Sequence, residues 1–196
     1  MLNSNLKNIL NFNQDFLKNK EYKKFVTTKQ PERKMVIVSC MDTRLTELLP
    51  QAMSIKNGDA KIIKNAGGVI VHPFGSAMRS ILVSIYEFDV NEVYIVAHKE
   101  CGMCNLDTAD IIGKMIKKGI AKETIKILRS SGIDVEKWLH GFSCVEESLK
   151  KSISIVREHP LLPSKVAVHG LIIDPKTGEL ELVEDGSYVF ETEEIK

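Results

Sequence analysis

The chain has 196 residues, 43% of them apolar, with 27 basic against 26 acidic side chains. That is enough for one domain with a sizeable core, and it leaves no overall field to draw nucleic acid or an anionic membrane surface, so a small neutral substrate fits better. No apolar stretch reaches the roughly 18 residues of a spanning helix and the N-terminus lacks a signal-like apolar run, so a cytoplasmic location is expected, in which the four cysteines serve as ligands or free thiols rather than disulfide partners.

Leu2, Leu6, Ile9, Leu10, Phe16 and Leu17 recur at helical spacing, which predicts an amphipathic helix from residue 2 to about 24. Residues 1–30 are therefore read as a helical arm and residues 31–196 as the domain proper. Met35 to Ser39 and Val93 to Ala97 are short β-branched runs without alternation, the pattern of strands buried on both faces of a parallel sheet. Ala60 to Asn65 is a third, less apolar run. Thr46 to Met53 reads as a short helix broken near Pro50, and Gly75 to Phe88 as a longer one. Leu106 to Trp138 has helical spacing interrupted by Gly113, Gly119 and Gly132, which predicts two or three short helices. Val145 to His159 is a further helix stopped by Pro160, and Val166 to Ile173 a fourth strand. The turn Asp174-Pro175-Lys176-Thr177-Gly178 then leads into Leu180 to Val183, an antiparallel edge strand. The expected fold is thus a single α/β domain: about four parallel strands plus one antiparallel edge strand, flanked by helices.

This alternation places chemistry on one edge. Right-handed crossovers put all carboxyl ends of the parallel strands together, so Cys40, Asn65 and His98 share that edge. If the first and third strands are neighbours, Cys40 and His98 face one crevice, and strands about 4.8 Å apart leave a gap that one zinc ion can bridge. Cys101, three residues beyond His98, supplies a third ligand. Two cysteines and one histidine leave a tetrahedral position open, as in catalytic rather than structural zinc sites. Zinc there would acidify a bound water into hydroxide, less strongly than with three neutral imidazoles, so activity should favour alkaline pH. Asp42 can hydrogen-bond that water or swing onto the metal, and a two-pronged grip from Arg44 would hold it off. The glycines of Asn65-Ala66-Gly67-Gly68 let backbone N–H groups approach a small anion.

The three blocks Cys40-Met41-Asp42-Thr43-Arg44, Asn65-Ala66-Gly67-Gly68 and His98-Lys99-Glu100-Cys101-Gly102 resemble the β-class carbonic anhydrases, in the family's order and over about Met35 to Val183. The resemblance implies zinc bound by Cys40, His98 and Cys101, one ion per subunit, with Asp42 and Arg44 as a gating dyad. Gly67, Gly68 and Gly102 are read as candidate substrate contacts, against the alternative that glycines after a strand serve the turn itself. It implies reversible hydration of carbon dioxide to bicarbonate and a proton. It also implies a homodimer or higher assembly, in which the N-terminal helix lies across a second subunit. Thr43 stands where serine is commoner and Lys64 where arginine is frequent. In the substrate pocket Gln30 is displaced by one position, Lys61 replaces phenylalanine and Val83 replaces tyrosine. Enzymes on the same scaffold hydrolyse carbon disulfide or carbonyl sulfide, which is the alternative reading. Cys101-Gly-Met-Cys104 also has the spacing of a thiol-disulfide redox motif, although that leaves Cys40, Asp42 and Arg44 without roles. A non-catalytic zinc-binding protein is the remaining alternative. His72 and His140 are candidate proton shuttles, whereas His159 and His169 read as packing residues.

Overall fold

The computed structural model describes residues 4–191, so Leu2 lies outside the described residues. Among the described residues five strands form one sheet in the order β2-β1-β3-β4-β5. They are β1 (Met35–Cys40), β2 (Ala60–Asn65), β3 (Glu92–His98), β4 (Ala167–Ile173) and β5 (Leu180–Glu184). The first four are mutually parallel, and β5 runs antiparallel beside β4 as a closing hairpin. β1 lies between β2 and β3, so the chain reverses its winding direction there and opens a crevice at the carboxyl ends.

The lack of alternation in β1 and β3 follows from burial on both faces. Val36 and Val38 point with Val93, Ile95 and Val168 to one side, against Met78, Ile81 and Ile85 of α3 (Ser76–Phe88) and Leu149, Ile153 and Val156 of α7 (Val145–Arg157). Met35 and Ile37 point with Val96 and Ile173 to the other, against Leu45 and Leu49 of α2 (Leu45–Ala52). Each such buried aliphatic side chain contributes about 1.5–3 kcal/mol of transfer free energy. β2 is the edge strand on the side away from β5, and Ile62 is exposed there, which accounts for its less apolar sequence.

Several boundaries differ from the sequence reading. β1 and β3 each run one residue further than the apolar runs, so Cys40 and His98 are themselves the last strand residues. α2 continues through Pro50 for two more residues, because proline removes one N–H near an end where few helical bonds remain. Gly113 lies inside α4 (Thr108–Lys117), while Gly119 and Gly132 fall in the turns after α4 and α5 (Lys122–Ser130). A short α6 (Val135–Leu139) completes this excursion. The expected N-terminal helix is divided: α1 (Ser4–Lys18) ends before Lys20, whose backbone is left-handed, and a 3₁₀ turn (Glu21–Phe25) follows. A last short helix, α8, spans Tyr188–Glu191. α1 buries none of its residues, and its apolar side chains Leu6, Ile9, Leu10 and Leu17 are all more than half exposed. Among the described residues α1 therefore stands off its own domain, whereas the rest of the arm is tied to it by hydrogen bonds from Asn57 to the Phe25 carbonyl and from Lys61 to the Lys29 carbonyl. Among the described residues no helix is long and apolar enough to cross a membrane.

Candidate metal centre

The register of the sheet assembles the site. Cys40 pairs with Asn65 across β1 and β2, and Ser39 pairs with Val96 across β1 and β3, so Cys40 and His98 end adjacent parallel strands. The next turn brings Cys101 back beside Cys40. All three are buried, and their donor atoms lie within 4.8 Å of one another. The two sulfurs are 4.0 Å apart, against the separation of about 3.8 Å that two Zn–S bonds of about 2.3 Å span at a tetrahedral angle. His98 Nδ1 is 2.8 Å from the Lys99 carbonyl oxygen, an acceptor that places the ring proton on Nδ1. Nε2 is buried with no hydrogen-bond partner. An orphaned imidazole nitrogen beside two thiols is a costly arrangement for a bare core and a suitable one for a zinc ion, and the donor set fits that ion.

The surrounding backbone prepares the sulfurs unequally. Burial pushes the Cys40 thiol up, but the neighbouring His98 ring and the N–H groups of Asp42 and Gly67 outweigh it and bring the group down to about 7. Cys101 moves the other way, to about 11: burial and the negative charge of Cys40 raise it against the Met103 N–H. Gly67 and Gly68 have positive φ, and a Cβ on Gly68 would sit 2.7 Å from the Cys40 nitrogen. Only glycine lets the chain pass so close to the end of β1. Asn65 uses both ends of its side-chain amide on the Val69 backbone, donating to the carbonyl and accepting from the N–H, which staples this turn shut. Gly102 differs from the other two glycines: it is exposed and its Cβ position meets nothing within 4 Å.

Asp42 and Arg44 form the expected fork. Arg44 Nε donates to Asp42 Oδ1 at 3.0 Å, and Nη2 donates to Oδ2 at 2.8 Å. Hydrogen bonding from Arg44 holds the Asp42 carboxyl at about 2, well below its ordinary value. Asp42 Oδ2 lies 3.9 Å from the orphaned His98 Nε2, so the carboxylate stands beside the donor cluster while its oxygens are turned to Arg44. Sequence reasoning missed the outer partners. Arg44 Nη2 also donates to the Glu100 carbonyl oxygen at 3.2 Å, and Nη1 lies 3.5 Å from the Glu100 carboxylate. Lys176, from the β4–β5 turn, donates to the other Glu100 oxygen. A charged residue between His98 and Cys101 was a signal, but its link to Lys176 is 76 residues distant in sequence.

The other candidates are placed elsewhere. Cys104 Sγ is directed at the Ser143 carbonyl, 3.5 Å away, and is not among the clustered donors, so Cys101 is paired in space with Cys40. His72 Nδ1 accepts the Phe74 N–H within its own exposed turn. His140 lines a cavity of about 310 Å³ with Met103, Phe142 and Cys144, and His159 and His169 are buried. Lys61 and Val83 share a surface cavity of about 420 Å³ that includes none of Cys40, His98 and Cys101. Lys61 Nζ is engaged there, donating to the Lys29 carbonyl at 2.6 Å and lying 3.7 Å from the Phe88 ring centroid.

Residues 35–180 match the family model described as carbonic anhydrase. The Bacillus subtilis protein named "Putative carbonic anhydrase YvdA" is 54% identical over 190 residues, 97% of this chain and 95% of that protein. A carbon disulfide hydrolase of Acidithiobacillus thiooxidans is 31% identical over 156 residues, 76% of each chain. The crystal structure of β-carbonic anhydrase isoform I from Trichomonas vaginalis superposes with a TM-score of 0.83 at 38% identity, covering 92% of this chain and 98% of that one. By its sequence match, its mixed five-stranded sheet and its clustered Cys-His-Cys donors, the chain belongs to the β-carbonic anhydrase family.

Proposed function

We propose that the protein catalyses the reversible hydration of carbon dioxide to bicarbonate and a proton, with one zinc ion per subunit held by Cys40, His98 and Cys101. The observation that carries this reading is the juxtaposition of that donor set with the forked Asp42–Arg44 pair, whose carboxylate lies 3.9 Å from His98 Nε2. Zinc, when bound, supplies Lewis acidity that lowers the pKa of water toward neutrality. Two thiolates soften that effect, so activity is expected to rise toward alkaline pH. The chain's own residues do the rest. His98 keeps its proton on Nδ1, toward the Lys99 carbonyl, and so presents Nε2 as a lone pair. Arg44 keeps Asp42 ionised and occupied, leaving the Oδ2 edge able to accept a hydrogen bond from water. Of the three glycines proposed to contact substrate, exposed Gly102 offers the most open backbone, whereas Gly67 and Gly68 support the end of β1.

We also propose a cytoplasmic homodimer or higher homo-oligomer, acting on a small molecule rather than on nucleic acid or a membrane. The apolar face of α1, uncovered by the described residues, supports a second subunit as its partner. The four cysteines, all free thiols, support a reducing compartment. A second reading, hydrolysis of carbon disulfide or carbonyl sulfide, is supported by the similarity to a carbon disulfide hydrolase. One experiment separates these. Zinc content, stopped-flow carbon dioxide hydration from about pH 6.5 to 9, and sulfide release from carbon disulfide and carbonyl sulfide are measured on one sample. The expected result is stoichiometric zinc and hydration that rises with pH. Retained zinc with neither activity at pH 8.5 would defeat the enzyme reading, and sulfide release alone would transfer the assignment to the second.

A further inference from the structure

We infer that Glu100 and Lys176 are positioning residues for Arg44, forming with it a relay by which the β4–β5 turn decides how firmly Asp42 is held. This rests on the proposed role of the Asp42–Arg44 pair and extends it outward. Four charges alternate in sign along one line of contacts: Asp42, Arg44, Glu100, Lys176. Arg44 spends Nε and Nη2 on Asp42, and its remaining reach goes to Glu100 through two different groups, the main-chain carbonyl at 3.2 Å and the carboxylate at 3.5 Å. The carbonyl is aimed by the backbone of Glu100 itself, which is left-handed at φ 55, an uncommon conformation for a residue with a side chain. The carboxylate is aimed by Lys176, which takes the oxygen that Arg44 leaves free.

The backbone of Lys176 is in turn fixed, while its side chain is 66% exposed. Its N–H donates to Asp174 Oδ1 at 2.8 Å, and the turn closes with Asp174 N–H on the Glu179 carbonyl and Gly178 N–H on the Asp174 carbonyl. The same turn meets the residues after His98 a second time, since Lys99 N–H donates to the Ile173 carbonyl and Lys99 Nζ lies 3.8 Å from Asp174 Oδ2. The β4–β5 hairpin therefore braces the segment carrying His98 and Cys101, and Glu100 transmits that brace to Arg44. A guanidinium gripped on both sides cannot rotate away from Asp42 without breaking contacts at either end. Released from Glu100, Arg44 keeps its fork with Asp42 but gains freedom to swing with it, and Asp42 is already 3.9 Å from a donor atom of the cluster.

The test uses the zinc-loaded protein with Glu100→Gln, Lys176→Met, Lys176→Arg and Arg44→Ala. Glu100→Gln keeps the main-chain carbonyl and removes only the charge that links Arg44 to Lys176. The first readout needs no turnover: ¹⁵N relaxation of the Arg44 Nε–H group reports whether the guanidinium is held on the nanosecond scale. Glu100→Gln and Lys176→Met are expected to loosen it, and Lys176→Arg to restore it. The second readout is the pH profile of carbon dioxide hydration. The two loosening variants are expected to lose about two- to fivefold in kcat/KM near pH 7.5, the range available from an exposed ion pair, with unchanged zinc content and recovery in Lys176→Arg. An Arg44 Nε–H as ordered in both variants as in the wild type overturns the inference, and so do pH profiles that superimpose. Arg44→Ala separates this from the reading beneath it. Wild-type kinetics there would defeat the gating role of the pair, whereas reduced activity there beside unaltered Glu100→Gln and Lys176→Met would defeat the relay alone.

Discussion

Replacing Gly68 by alanine should damage the site through the backbone of a ligand rather than through the ligand itself. Gly68 sits at φ 65, and the added methyl would lie 2.7 Å from the Cys40 nitrogen and 3.0 Å from the Ser39 carbonyl carbon. The left-handed conformation costs an L-residue about 1–2 kcal/mol. The contact adds about 1–3 kcal/mol of overpacking, because both atoms belong to a buried central strand and neither can rotate aside. The sum, about 2–5 kcal/mol, is a large part of the 5–15 kcal/mol typical of a whole domain. For a chain of this size it should lower Tm by roughly 5–15 °C. Cys40 must shift with β1, so zinc content should fall as well. Gly102→Ala is the matched control: its methyl meets no atom within 4 Å, so stability should stay within about 0.5 kcal/mol of wild type. If Gly102 contacts substrate as proposed, that variant should still alter KM. Thermal denaturation with zinc analysis on both variants is the assay. A Gly68→Ala protein with wild-type Tm and full zinc occupancy would refute the reasoning that this turn locks the end of β1.

Two further outcomes follow from the charges. Zinc must displace protons from the two thiols, and Cys40 sits at about 7 while Cys101 sits at about 11, so affinity should rise by about a hundredfold per pH unit below pH 7, where both thiols lose a proton to the metal, and by about tenfold per unit above it, where only Cys101 does. Competition with a chelator at pH 6, 7 and 8 measures this, and a pH-independent affinity would contradict the assignment of both sulfurs as ligands. Asp42 is held at about 2 against an ordinary value of 3.8. Its folded value is the lower one, so its contribution to stability is fully present above about pH 4 and is lost as the pH falls toward 2. Arg44 is 40% exposed, so solvent screening keeps the effect small. The stability gap between wild type and Arg44→Met, read from urea midpoints, should narrow between pH 4 and pH 2.5, and a constant gap would show that the fork does not set the Asp42 carboxyl.

What the residues could announce by themselves was whatever local chemistry decides. The unalternating runs at Val36 and Val93 require burial on both faces, which requires a parallel sheet with helices on each side, and that placed Cys40, Asn65 and His98 on one edge. The forked Asp42–Arg44 pair was also legible, since two residues of separation leave the guanidinium within reach of the carboxylate. Boundaries were less so, because a strand continues as long as its neighbour offers hydrogen bonds, and Cys40 and His98 extend theirs past the apolar residues. The arm shows the same limit: its periodicity predicts a helix, but only the folded chain shows that no described residue covers Leu6, Ile9 and Leu10. Tertiary structure alone decided that Cys104 is directed at the Ser143 carbonyl, that His98 Nε2 is left without a hydrogen-bond partner among the described residues, and that Lys176 reaches Glu100. Those contacts join segments far apart in the chain, where the partner is set by sheet register and turn geometry, and no stretch of sequence carries that information by itself.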